Sequence, residues 1–138
     1  MKKLFLILAI AGFLTSSYAQ TVLVSDVPAP VTKTFTKTHS KVDTVQWSKV
    51  GETYQASYDK NKKTMVVTYT AKGKLMETES EISVAALPTT VLQYINENYP
   101  ADIVKWSSKV TSVSGKVKYA VKIKGMDLAF DSRGKIIQ

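Results

Sequence analysis

Between Gly115 and Gly125 the chain alternates, with Val117, Tyr119, Val121 and Ile123 on one side and Lys116, Lys118, Lys122 and Lys124 on the other. A period of two with one apolar side is the pattern of a half-buried antiparallel strand. "MVVTYTAKGK" (65–74) and "MDLAFDSRGK" (126–135) read as further strands that run into glycine turns, with Val67 and Tyr69 matching Leu128 and Phe130. "LMETESEIS" (75–83) adds another strand. Around residue 91 the period changes: Val91, Leu92, Ile95 and Tyr99 recur at helical spacing and Pro100 ends the run, which predicts a helix starting at Pro88. "VTKTFTKTH" (31–39) alternates and is rich in β-branched threonine, so its local pattern alone spells a strand.

Self-similarity overrules that local pattern. "VPAPVTKTF" (27–35) matches "LPTTVLQYI" (87–95) at an offset of 60, placing Pro28 over Pro88, Val31 over Val91 and Phe35 over Ile95. "VDTVQWSKV" then matches "ADIVKWSSKV", with Trp47 over Trp106 after a one-residue slip, and "TYQASY" (53–58) falls on "KYAVKI" (118–123). Both copies close on the same octapeptide pattern, "YTAKGKLM" (69–76) and "FDSRGKII" (130–137). Four matched blocks in one order predict a duplicated unit. The first copy therefore also opens with a helix, with Val31, Phe35 and His39 facing inward. The expected fold is α+β: a tandem repeat of a helix plus three to four antiparallel strands, with the helices on one face of a larger combined sheet. The expected division is a leader at 1–19, a first repeat at 20–85 and a second at 86–138. A unit of about 60 residues is marginal without disulfides or a metal, so the two repeats are expected to share one core.

The amino terminus and the charge narrow the setting. Lys2 and Lys3, an apolar run from Leu4 to Leu14 and small residues before Ala19 form the sequence of a secretory signal peptide cleaved after Ala19. A membrane-spanning helix needs roughly 20 apolar residues, about twice this run. The chain has no cysteine, so a lipoprotein-type leader and disulfides are both excluded. The product is expected to be periplasmic or secreted, with no membrane insertion after cleavage. Removing Lys2 and Lys3 lowers the net charge from +8 to +6, and every remaining basic residue except Arg133 is a lysine. Nucleic-acid readers favour arginine, so no nucleic-acid partner is expected and the charge serves solubility and attraction toward acidic partners.

The chain carries few residues suited to chemistry. His39 is the one histidine and aligns with Tyr99, as a packed helix residue would. No nucleophile elbow accompanies it, and ordinary zinc ligation lacks its ligands. Glu77, Glu79 and Glu81 form an acidic row with alternate side chains about 6.5–7 Å apart, a spacing that would suit an inverting glycosidase pair or weak calcium binding. A charged strand face is commonly just solvated or guards an edge. No catalysis, metal or cofactor is expected. Trp47 and Trp106 each share a face with a preceding valine, Val45 and Val104, which places them under the helix; large aromatics are also the usual anchors of interfaces.

The Pro-led helix starts, the Trp-then-Tyr strands "VQWSKVGETYQASY" and "VKWSSKV…VKYAVKI", and the terminal "DLAFDSRGKII" resemble the PepSY-like family, whose fold is similar to that of the β-lactamase-inhibitor protein. The resemblance covers essentially the whole mature chain and rests on packing and turn motifs. It implies tandem helix-plus-sheet units and a non-catalytic binding protein, an inhibitor of or adaptor for another exported protein. The disulfides of the inhibitor relatives have no counterpart here. The expected contact surface is the helix-free sheet face with its lysine and tyrosine residues, with Lys116, Lys118, Lys122, Lys124, Trp47 and Trp106 as candidate partner-binding residues. The alternative is a small-ligand carrier with an apolar pocket between helix and sheet, lined by tyrosine and tryptophan.

Overall fold

A computed structural model describes residues 19–137; the expected leader lies outside them except for Ala19. The element order is β1 (Gln20–Val22), α1 (Ala29–Thr38), β2 (Gln46–Val50), β3 (Thr53–Lys60), β4 (Lys63–Thr70), β5 (Leu75–Glu81), α2 (Thr89–Asn98), β6 (Trp106–Ser112), β7 (Val117–Ile123) and β8 (Met126–Asp131), with a short 3-10 turn ahead of each helix. The strands form an eight-stranded sheet in sequence order, β1 to β8. The fold is α+β, as the alternation and the repeat predict.

The helix at 29–38 forms despite its threonines, whose hydroxyls bond back onto the preceding turn. Thr34 Oγ1 donates to Pro30 O at 2.9 Å and Thr38 Oγ1 to Thr34 O at 3.0 Å. These bonds satisfy groups that would otherwise compete with the helix. Val31 and Phe35, one helical turn apart, are its buried residues. Pro28 and Pro88 are the N-caps of the two helices, one residue ahead of the helical position expected for them.

Two compact units divide the chain. One comprises the described residues up to Tyr58 together with Val67–Met76, and the other Asp59–Val66 together with the described residues from Glu77 onward. In the first, α1 packs on the face of β2 and β3 that carries Trp47, Ala56 and Tyr58: Phe35 meets Trp47 edge-on at 5.4 Å and Tyr58 at 5.7 Å, and stacks on His39 at 4.6 Å. In the second, Leu87, Val91 and Ile95 close over Val121, Ile123, Leu128 and Phe130. β5 pairs with β6 in this second unit.

The recurring octapeptide is a turn that receives the start of a helix. Gly73 and Gly134, both at φ +81°, close the same hydrogen-bonded turn: Gly73 N–H donates to Thr70 O and Thr70 N–H to Lys74 O, and Gly134 N–H donates to Asp131 O and Asp131 N–H to Lys135 O. Each glycine lies against the first turn of its unit's helix, Gly73 against Pro30 and Gly134 against Thr90. Thr90 Oγ1 also donates to Arg133 O at 2.9 Å, tying the helix to the turn.

The β3–β4 hairpin turns on Asn61 (φ 52°) and Lys62 (φ 64°), a mirror-image turn whose second position favours glycine. Lys62 therefore carries a left-handed backbone that a side chain disfavours by about 1–2 kcal/mol. Allowing for the larger chain entropy that glycine loses on folding, Lys62→Gly should stabilise the protein by about 0.5–1 kcal/mol in urea unfolding.

Candidate functional site

The second unit has one face under α2 and one turned away from it. Strand pairing assigns the paired residues of β5 to β8 to one or the other. Glu79 stands opposite Val110, Val110 opposite Lys118 and Lys118 opposite Asp131; Glu81 stands opposite Ser108 and Ser108 opposite Ala120; Trp106 stands opposite Lys122 and Lys122 opposite Asp127. Val121, Ile123, Leu128 and Phe130 occupy the other parity and meet α2. The face away from α2 therefore carries an acidic row on β5, Trp106 and two serines on β6, lysines on β7 and aspartates on β8.

Trp106 reaches this face through a bulge. Lys105 N–H donates to Lys122 O at 2.8 Å while Trp106 is the residue in register with Lys122, so two residues oppose one. The extra residue shifts the alternation: Val104 packs against the core under α2, and Trp106, half-buried, falls on the opposite face. This corrects the expectation that both tryptophans sit beneath a helix on the same side as their valines. Trp47 does, and is buried. Its spatial counterpart is Ser107, which faces Val121 as Trp47 faces Ala56. The unbroken offset of 60 holds through this strand and the one-residue slip does not.

The acidic row is not a solvated strip. Glu79 is only 6% exposed, and Glu77 and Glu81 are half-buried. Ser108 Oγ, itself fully buried, donates to Glu79 Oε1 at 2.6 Å. Glu81 Oε2 accepts the backbone N–H of Thr64 at 2.9 Å, which pins the end of the row. The Glu79 carboxyl is pushed up to about 7: burial raises it most, the Ser108 hydrogen bond offsets part of that rise and the Glu77 charge adds to it. Burial also raises Glu77, and Lys118 opposes that rise.

The lysines separate into two kinds. Lys116 and Lys124 are exposed at strand ends, whereas Lys118 and Lys122 are half-buried on β7. Lys122 Nζ lies 3.6 Å from Asp127 Oδ1, a partly exposed pair that contributes little to stability. Acidic residues flank the lysine row on both sides, so its field is short-ranged. The tyrosines expected on this face lie elsewhere: Tyr119 packs against the α2 core, and Tyr58 belongs to the α1 side of the first unit. The structure thus brings Trp106, Lys118 and Lys122 together with Glu77 and Glu79, and leaves Trp47 in a core. Among the described residues there is no group of three or more His, Cys, Asp or Glu placed to hold a metal, and no helix long and apolar enough to cross a membrane.

The sequence profile of the family described as "Putative beta-lactamase-inhibitor-like, PepSY-like" matches residues 14–77 and again 52–138. Solved structures share the fold. A DUF2874 family protein from Bacteroides ovatus is 22% identical with a TM-score of 0.66, over 80% of this chain and 84% of that one. A "putative periplasmic" protein from Bacteroides eggerthii is 15% identical with a TM-score of 0.71, over 81% and 86%. A BLIP-like protein from Bacteroides fragilis is 20% identical with a TM-score of 0.60, over 80% and 84%. No curated protein matches the chain.

Proposed function

We propose that this chain, which belongs to the PepSY-like, β-lactamase-inhibitor-like family, is an exported, non-catalytic binding protein that acts on another exported protein as inhibitor or adaptor through the face turned away from α2. The observation that carries the reading is Trp106: it takes the place that Gln46 has in the first unit, one residue before the packing position that Trp47 fills there and Ser107 fills here, and stands half-exposed beside Lys122. A large aromatic on a pleated face among charged side chains is the usual composition of an interface hot spot. The leader sequence and the likeness to a structure described as periplasmic support a periplasmic setting. Lys118 and Lys122 would supply the rim of the contact, with Lys116 and Lys124 at its ends.

The carrier alternative needs room between helix and sheet. In the first unit that space holds Phe35 in ring contact with Trp47, Tyr58 and His39, and His39 in contact with Tyr58, so no observation favours it.

Trp106→Ala is expected to weaken capture of partners from a periplasmic extract by roughly tenfold or more, the effect of losing an interface anchor of at least ~1.4 kcal/mol, with little change in melting temperature. Quantitative pull-down against the unchanged protein, scored by mass spectrometry, reads the effect. Capture that is indifferent to both Trp106→Ala and Lys118→Glu would overturn the proposal.

A further inference from the structure

The face turned away from α2 contains one titratable side chain that is enclosed. Glu79 is 6% exposed, and its carboxylate receives a hydrogen bond from Ser108, a hydroxyl with no exposure of its own. The neighbouring charges do not balance it. On its own strand Glu77 and Glu81 point the same way. β6 contributes only Trp106, Ser108, Val110 and Ser112 to the face, none of them titratable. On β7 the cation nearest in register is Lys118, one strand beyond Val110; it acts on Glu77, while Lys122 is paired to Asp127. β8 adds Asp127 and Asp131, both of the same sign as Glu79. β4, whose Thr64 N–H binds Glu81, has only Thr64 and Val66 at the same parity within this unit. An ionised Glu79 would be an enclosed charge between two like charges, whereas a protonated one fits where it lies.

We propose that Glu79 is a proton-operated latch on this face: protonated, it stays folded over the β5–β6 pair against Ser108; ionised, it turns out to water, uncovers Ser108 and Val110 and changes the surroundings of Trp106. Trp106 is the next side chain after Ser108 on the same face of β6, so the latch sits beside the residue that anchors the binding reading. Burial sets the midpoint of the Glu79 carboxyl near 7, so the two states exchange close to neutral pH. The inference rests on the binding reading for its purpose but not for its operation, because the latch works in the free protein.

The test is a pH titration of the exported chain by NMR, following the Glu79 side-chain carboxyl carbon and the Trp106 indole N–H between pH 4 and 9. Glu79 should titrate with a midpoint near 7, against an ordinary 4.5, and the Trp106 indole should shift with the same midpoint. Glu79→Gln should abolish the indole transition. Ser108→Ala should move the Glu79 midpoint downward, toward the ordinary 4.5, since the protonated form loses the partner that holds it over the β5–β6 pair while the ionised form, turned out to water, loses none. A Glu79 midpoint below 5, or an indole transition that survives Glu79→Gln, would overturn the latch. A coupled titration in a protein that captures no partner would leave the latch standing and remove the binding reading alone.

Discussion

Gly134→Ala is expected to cost the protein roughly 3–6 kcal/mol, a large share of the 5–15 kcal/mol typical of a domain. Three effects add. A side chain at φ +81° pays about 1–2 kcal/mol for the left-handed backbone. The new Cβ would meet Thr90 at its hydroxyl and at Cβ, the latter 2.7 Å away, and approach Val91 N at 3.2 Å, and forced overpacking costs about 1–3 kcal/mol. Moving Thr90 also breaks its 2.9 Å hydrogen bond to Arg133 O, worth about 1 kcal/mol. Gly115 gives the control. It has φ +83°, closes the same kind of turn with Ser112 and Lys116, and has nothing within 4 Å of an added Cβ. Gly115→Ala should therefore lose only the backbone contribution, about 1–2 kcal/mol. Equal losses in chemical denaturation for the two variants would show that the contact between turn and helix start contributes nothing.

That comparison also explains why the octapeptide recurs. The aromatic, Tyr69 or Phe130, enters the core; Thr70 and Asp131 hold the turn, the latter accepting the N–H groups of Arg133 and Lys135 on Oδ1. The glycine leaves space for the helix that begins each unit. These demands fix residue types at fixed spacing, so the pattern is readable without coordinates, and the α+β plan follows from it. The helix at 29–38 was legible only through its copy, because threonine hydroxyls bonded to the preceding turn leave no trace in a hydrophobicity pattern. The face of Trp106 was not legible. It depends on a backbone bulge between Lys105 and Lys122, and parity counting carries the error of one extra residue into every position beyond it. The likeness of two Trp-Ser dipeptides favoured a slip in the alignment that the strand register does not make. Burial of Glu79 escaped for a different reason: three alternating glutamates look the same in sequence whether water or neighbouring side chains cover them, and neither Ser107 nor Ser108 signals a buried hydroxyl.

The enclosed glutamate also sets the pH dependence of stability. Its carboxyl rises from 4.5 in the unfolded chain to about 7 in the fold, so the folded protein binds a proton that the unfolded chain has released. The stabilisation is complete below about 4.5 and is lost as the pH rises through 7, the opposite of a salt-bridged carboxylate. At 1.36 kcal/mol per pH unit, the loss across this window is roughly 3 kcal/mol; Glu77, raised in the same direction by burial, adds to it. Glu79→Gln keeps the shape and can still accept the Ser108 hydroxyl, but it cannot ionise. The variant should match the parent near pH 4.5 and exceed it by roughly 2–3 kcal/mol at pH 8, so the two curves of unfolding free energy against pH separate as the pH rises. Parallel curves, or a variant that loses stability at pH 8, would mean that Glu79 is solvated in the fold and that its ionisation costs nothing.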